Sequence, residues 1–139
     1  MIETLALAGK ALEGSGVRIG LESLNTLVDQ LGYFLSSTRE TLQVVKMTGR
    51  PEIGVVYDIY HSAVMGEDTE AVIAGDVDRV FDLHVADHPG GHEPGSGHID
   101  LRDRLGWLTA RGYGGSLGLE YRPTASTTAS TAQRRRVLL

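Results

Sequence analysis

The chain has 139 residues, 41% of them hydrophobic and 22% charged, with a net charge of −5 and no cysteine. That is enough for one modest core, and it excludes disulfides, thiolate zinc sites and cysteine nucleophiles. The acidic balance argues against a nucleic-acid partner, and the short Arg134-Arg135-Arg136 cluster does not change that.

In chain order, Met1 to Leu12 (MIETLALAGKAL) predicts a helix, with Ile2, Leu5 and Leu12 near a 3.6-residue period. Gly14 and Gly16 stop it, and its uncapped start is expected of an entry in mid-fold. Val17 to Leu24 (VRIGLESL) predicts a strand, and Tyr33 and Phe34 fall in a loop. Thr38 to Thr48 predicts a helix with Thr38 as N-cap, ended by Gly49-Arg50-Pro51. Ile53 to Tyr60 (IGVVYDIY) predicts the next strand, and Asp68 to Asp78 a helix weakened by Gly75. Val80 to Ala86 predicts a third strand, Leu101 to Ala110 a helix, and Ser116 to Tyr121 a fourth strand. The order α-β-α-β-α-β-α-β predicts an α/β fold with a parallel sheet and crossover helices. Residues 124–139 (TASTTASTAQRRRVLL) predict a short helix or a flexible tail. There is no signal-peptide pattern and no apolar run near the ~20 residues a membrane helix needs. The expectation is a soluble cytoplasmic protein with no membrane partner.

Each predicted strand carries a metal-capable residue at or near its C-terminal end: Glu22, Asp58, His84 and Glu120. They recur roughly every 30 residues, close to the ~31 of one β/α barrel unit. In such a barrel, residues far apart in sequence converge at the C-terminal face of the strands. Three carboxylates and one imidazole suit Mg²⁺ or Mn²⁺, with Zn²⁺ and Co²⁺ as further candidates. A single acid at a strand end is more often a turn or cap residue, so the weight rests on all four together. His61, three residues past Asp58, either orients substrate or caps a turn.

The stretch FDLHVADHPGGHEPGSGHIDL, Phe81 to Leu101, holds four of the five histidines. Only His84 falls on a strand end. Asp87 and His88 read as loop residues. His92 and Glu93 open a Gly/Pro loop at the mouth of the site, with His92 a candidate substrate contact, and His98 reads as structural.

Four segments, RIGLESLN, YDIYHSAVMGED, LHVADHPGGHEPGSGHID and GYGGSLGLEYRP, resemble the hydroxypyruvate isomerase family, part of the xylose-isomerase-like TIM barrels. HEPGSG (92–97) and GLEYRP (118–123) carry the resemblance most specifically. It implies a partial (β/α)8 TIM barrel, strands five to eight with their helices, over residues 1–123. It assigns proton transfer to two glutamates, Glu22 and Glu120, and a divalent metal to Glu22, Asp58, His84 and Glu120. Hydroxypyruvate isomerases often carry glutamine at the position of His84, whereas related epimerases carry histidine. His61 matches a substrate-contacting histidine of the epimerases. The family commonly reads PGRHEPG, and here Gly91 stands at the arginine position.

The implied reaction converts hydroxypyruvate to tartronate semialdehyde through an enediolate, with no nicotinamide or flavin, since no Gly-rich dinucleotide loop is present. The alternatives are a ketose epimerase or 2-oxo-tetronate isomerase of the same superfamily, or an inactive fragment with an interaction role. The expected ligand is a small hydroxy-keto acid or sugar. A half barrel exposes two strand edges and an apolar inner face. Homo-oligomerisation, or pairing with a separate N-terminal half, is therefore expected.

Overall fold

The computed structural model describes residues 1–131. Four strands, β1 (Ile19–Glu22), β2 (Ile53–Asp58), β3 (Val80–Val85) and β4 (Ser116–Leu119), form one parallel sheet in the order β1-β2-β3-β4. Five α-helices that both begin and end within the described residues accompany them: α1 (Ile2–Ala11), α2 (Thr38–Thr48), α3 (Ile59–Val64), α4 (Thr69–Ile73) and α5 (Leu101–Ala110). Strand order follows chain order without the reversal that marks a doubly wound sheet, which is how a barrel wall is built. Among the described residues, β1 and β4 each pair on one side only.

Strand alternation sorts the side chains. Ile53, Val55 and Tyr57 of β2, with Val80, Leu83 and Val85 of β3, pack in one core with Leu42 and Val45 of α2, Ile73 of α4, and Leu101 and Leu108 of α5. Each fully buried Leu, Ile or Val of this kind contributes about 1.5–3 kcal/mol relative to exposure. The Tyr57 hydroxyl, inside this core, is satisfied by Ser62 and Thr69 at 2.9 Å each.

The other face of the sheet is not the apolar surface expected from sequence. Alternation places Gly20, Glu22, Gly54, Val56, Asp58, Asp82, His84, Gly118 and Glu120 there. A register shift in the β2–β3 pairing, between Val55 and Val56, accompanies a Phe81 ring that lies against Gly54. The Arg18 guanidinium covers that ring at 4.1 Å. Glycine and charge therefore occupy most of a face that a closed barrel would fill with aliphatic side chains.

Several boundaries move. The first strand is shorter than Val17–Leu24. The N-cap of α2 is Ser37, not Thr38: the Ser37 hydroxyl accepts from the Glu40 N–H at 3.5 Å. Thr38 is instead buried, and the Glu67 carboxylate accepts from both its N–H (2.9 Å) and its hydroxyl (2.6 Å). The strand expected to run to Tyr60 ends at Asp58, because Asp58 caps a short helix that claims Ile59 and Tyr60. The helix expected over 68–78 is broken: α4 ends at Ile73, Gly75 turns the chain at φ +84°, and Val77–Arg79 form a 3-10 turn. The fourth strand stops at Leu119, so Glu120 and Tyr121 lie just past its end.

After Pro123, Thr124 is tied to the β3–α5 loop, and residues 127–131 are helical, with the Ser130 hydroxyl donating to Tyr121. The remainder of the expected tail, including Arg134 to Arg136, lies outside the described residues. No helix among the described residues is long and apolar enough to cross a membrane.

Candidate active site

Glu22 ends β1, Asp58 ends β2, His84 is the fifth residue of β3, and Glu120 follows β4. Asp58 and His84 are register partners across the two central strands. Glu22 pairs with Val56, one inward-facing position before Asp58, and Glu120 lies one such position past Gly118, the partner of His84. The flanking positions carry glutamate, whose longer side chain spans that offset. One ligand atom from each of Glu22, Asp58, His84 and Glu120 lies within 4.8 Å of the others. His84 Nδ1 is 2.6 Å from Glu120 Oε2 and 3.3 Å from Glu22 Oε1.

The imidazole fits because the neighbouring strand has glycine beside it. A Cβ on Gly118 would stand 2.9 Å from His84 Cδ2. Gly118→Ala is expected to leave the fold intact, displace His84 and weaken Mn²⁺ binding by about tenfold or more. Titration calorimetry against the wild type, with a circular-dichroism spectrum as control, checks this.

Crowding is visible in the electrostatics. Burial pushes the Asp58 carboxyl up to about 7, with repulsion from Glu22 and Glu120 adding to it, while the His61 N–H and His84 oppose. Burial also raises Glu22, with Glu120 adding repulsion and His84 opposing. Acids raised by burial and by one another's charge fit a divalent cation, which would offset both the burial and the repulsion by ligation. The hard, mostly oxygen donor set suits Mg²⁺ or Mn²⁺, and the single imidazole admits Zn²⁺ or Co²⁺.

The sign of the pH effect follows. Between an ordinary aspartate value near 4 and about 7, folded Asp58 keeps a proton that the unfolded chain has lost. Its stabilisation is complete below the unfolded value and is lost as pH rises through 7. The metal-free protein is therefore expected to melt several degrees lower at pH 8 than at pH 5, and Mn²⁺ to reverse the loss at pH 8. Melts in EDTA and in Mn²⁺ test both parts.

Asp58 does two jobs, since its Oδ1 also accepts from the His61 N–H at 2.7 Å as the cap of α3. That cap places His61 beside the quartet. His61 Nδ1 accepts from the Asn25 main-chain N–H at 3.0 Å, so the neutral ring carries its proton on Nε2. Burial lowers the His61 pKa, which favours that neutral form. The Asn25 amide donates to His61 Nδ1 and to Asp29 Oδ2, both at 2.7 Å. Its carbonyl accepts from the N–H groups of Val28 and Asp29. Asn25 is fully buried and orients His61 from the β1 side, a role sequence reasoning missed. The available signal was its place in LESLN, three residues past Glu22.

A cavity of about 240 Å³ opens next to the quartet, with Asp58, Glu120, Tyr60, His61 and Arg122 in its wall. His92 is not in that wall: its Nδ1–H donates to the Arg122 carbonyl at 2.8 Å. The two most specific sequence segments thus dock on each other. Arg122 N–H donates to the Gly91 carbonyl at 2.8 Å, and buried Glu93 accepts from the N–H and hydroxyl of Thr124. Asp87 is buried, and its carboxylate accepts from the N–H groups of His88, Gly95 and Ile99. His98 is exposed, and its N–H donates to the His88 carbonyl.

Among curated relatives, the chain is 31% identical over 128 residues to the 2-oxo-tetronate isomerase of Cupriavidus necator, covering 92% of this chain and 49% of that protein. It is 34% identical over 126 residues to a putative hydroxypyruvate isomerase of Streptomyces coelicolor, covering 88% and 45% respectively. The chain spans about half the length of the curated relatives it matches. Among solved structures, an AP endonuclease, family 2, from Brucella melitensis superposes with a TM-score of 0.88 at 30% identity, over 97% of this chain and 52% of that one. The IOLI protein with a binding zinc atom shares the fold, with a TM-score of 0.76 at 20% identity over 99% and 51%. The family described as Xylose isomerase-like TIM barrel matches residues 1–138. With a sequential parallel sheet and acids gathered at its C-terminal edge, that match places the chain in the xylose isomerase-like TIM barrel family.

Proposed function

We propose that the chain carries the active-site half of a sugar-acid isomerase that interconverts hydroxypyruvate and tartronate semialdehyde. The observation that carries this is the meeting of Glu22 and Glu120 with His84 and Asp58 beside an open cavity. The relatives named as hydroxypyruvate and 2-oxo-tetronate isomerases support the substrate class. One glutamate removes a proton from the hydroxymethyl carbon, the other returns a proton to the former carbonyl carbon, and the hydroxyl proton passes between the two oxygens. A divalent cation held by the quartet would supply the charge that stabilises the enediolate oxygens. His61, with its proton on Nε2, can donate to a substrate oxygen without changing charge.

His84 favours a second reading, a ketose epimerase, since histidine is the epimerase residue at that position. Deuterium incorporation followed by NMR in Mn²⁺ separates the two. Exchange with hydroxypyruvate supports the isomerase. Exchange with a neutral ketose only would replace it by the epimerase, and no exchange with either would leave a non-catalytic fragment.

The open edges of β1 and β4 support a further part of the proposal. The four strands correspond to strands five to eight, and a second copy or a separate first half closes the barrel. Light scattering tests this: a dimer is expected of the self-pairing form. An isolated monomer that shows exchange would overturn closure as a requirement.

A further inference from the structure

The cavity beside the quartet has one permanently charged cation among its lining residues, Arg122. Its backbone is pinned at both polar atoms: the N–H donates to Gly91, and the carbonyl accepts from His92. The side chain, by contrast, is only loosely engaged. That side chain is 80% exposed, and its guanidinium reaches Asp29 Oδ1 at 4.0 Å, the limit of an ion pair. Asp29 is already occupied at Oδ2, by the Asn25 amide at 2.7 Å and the Tyr60 hydroxyl at 2.6 Å. Most of the five guanidinium donors are therefore left for another acceptor.

The adjoining wall is bare main chain. Gly91 sits at φ +62°, and a Cβ there would stand 3.3 Å from the Tyr60 ring. A side chain at 91 would be strained by its backbone and crowded by the tyrosine, so the space beside Arg122 stays open. Glu120 is two residues away in sequence and belongs to the quartet. A molecule held at the quartet by its oxygens thus has a guanidinium within the same cavity. A planar fork of donors matches a carboxylate better than it matches a neutral hydroxyl group.

We infer that Arg122 is the specificity residue of this site, binding the carboxylate of a small hydroxy-keto acid and setting the preference for acids over neutral sugars. This rests on the proposed isomerase reading for the role of the quartet, but not for the charge recognition itself.

Two probes differ only in the relevant group: hydroxypyruvate, and dihydroxyacetone, in which a hydroxymethyl replaces the carboxylate. With the Mn²⁺-loaded full chain, calorimetry is expected to show hydroxypyruvate binding about tenfold or more tightly than dihydroxyacetone. Arg122→Gln is expected to abolish that difference by weakening hydroxypyruvate alone, and Arg122→Lys to restore part of it. In the metal-free chain, the Arg122 Nε–Hε signal is expected to shift with hydroxypyruvate and not with dihydroxyacetone. A shift there, in a protein that shows no Mn²⁺ binding, would retain Arg122 and overturn the metal reading. Mn²⁺ binding with equal affinity for the two probes, or an unchanged preference in Arg122→Gln, would overturn Arg122 while leaving the quartet in place.

Discussion

Glu120→Gln is expected to cut Mn²⁺-dependent deuterium exchange in hydroxypyruvate by about 10²–10⁴-fold while the chain stays folded. Glu120 lies beyond the end of β4, outside the hydrophobic core, with its side chain 65% exposed. Its carboxylate contacts His84 Nδ1 at 2.6 Å, and its N–H continues the sheet pairing to the Val85 carbonyl. Glutamine keeps the length and the N–H, so the fold has little to lose. It cannot take up or release a proton near neutral pH, which is the capacity the proposed reaction needs. Glutamine also removes one negative charge from the quartet, so weaker Mn²⁺ binding is expected together with the lost exchange. Measuring exchange at saturating Mn²⁺ separates the two effects. Wild-type exchange in this variant would remove Glu120 from proton transfer.

The residues of the quartet were legible because a β/α repeat leaves a regular trace. Each strand carries a metal-capable polar residue at or next to its C-terminal end, and the spacing between these residues is close to one repeat. Glu22, Asp58, His84 and Glu120 stood out one at a time as strand-end acids or histidine, and the parallel register brings them together. What surrounds them was less legible, because it depends on contacts between distant segments. Asn25 orients His61 across 36 residues, and Glu67 holds the start of α2 across 29. Neither partner can be chosen from local pattern.

The helix α3 failed for a different reason. IGVVYDIY is apolar but for Asp58, and such a run does not distinguish a strand from a strand that turns directly into a helix. Asp58 made the difference by capping at the same position where it faces the quartet. The inner face differs from the aliphatic filling of a closed barrel. The alternation within IGVVYD and VFDLHV already assigns most of the aliphatic residues to the helix side.

Asp87→Ala is expected to unfold the β3–α5 loop locally and to leave the Glu22–Asp58–His84–Glu120 quartet intact. The Asp87 side chain is 1% exposed, and its two oxygens accept three main-chain N–H groups: His88 at 2.9 Å, Gly95 at 2.8 Å and Ile99 at 3.0 Å. Alanine strands all three donors. At roughly 1–3 kcal/mol for each buried donor left unpaired, the loop conformation loses about 3 kcal/mol or more. The loop can relieve this by opening to water, which the core strands cannot do, so the cost falls on residues 88–99. Opening them withdraws Gly91 from the Arg122 N–H and Glu93 from Thr124. The four quartet residues, by contrast, stand on or just past the strand ends. Hydrogen exchange is therefore expected to rise across 88–99, and hydroxypyruvate affinity to fall, while Mn²⁺ affinity stays within a few-fold of wild type. Asp87→Asn, which keeps one acceptor oxygen, should fall between the two. Unchanged loop protection in Asp87→Ala would show that the loop is held by its glycine and proline turns, and that the buried carboxylate is not its organising contact.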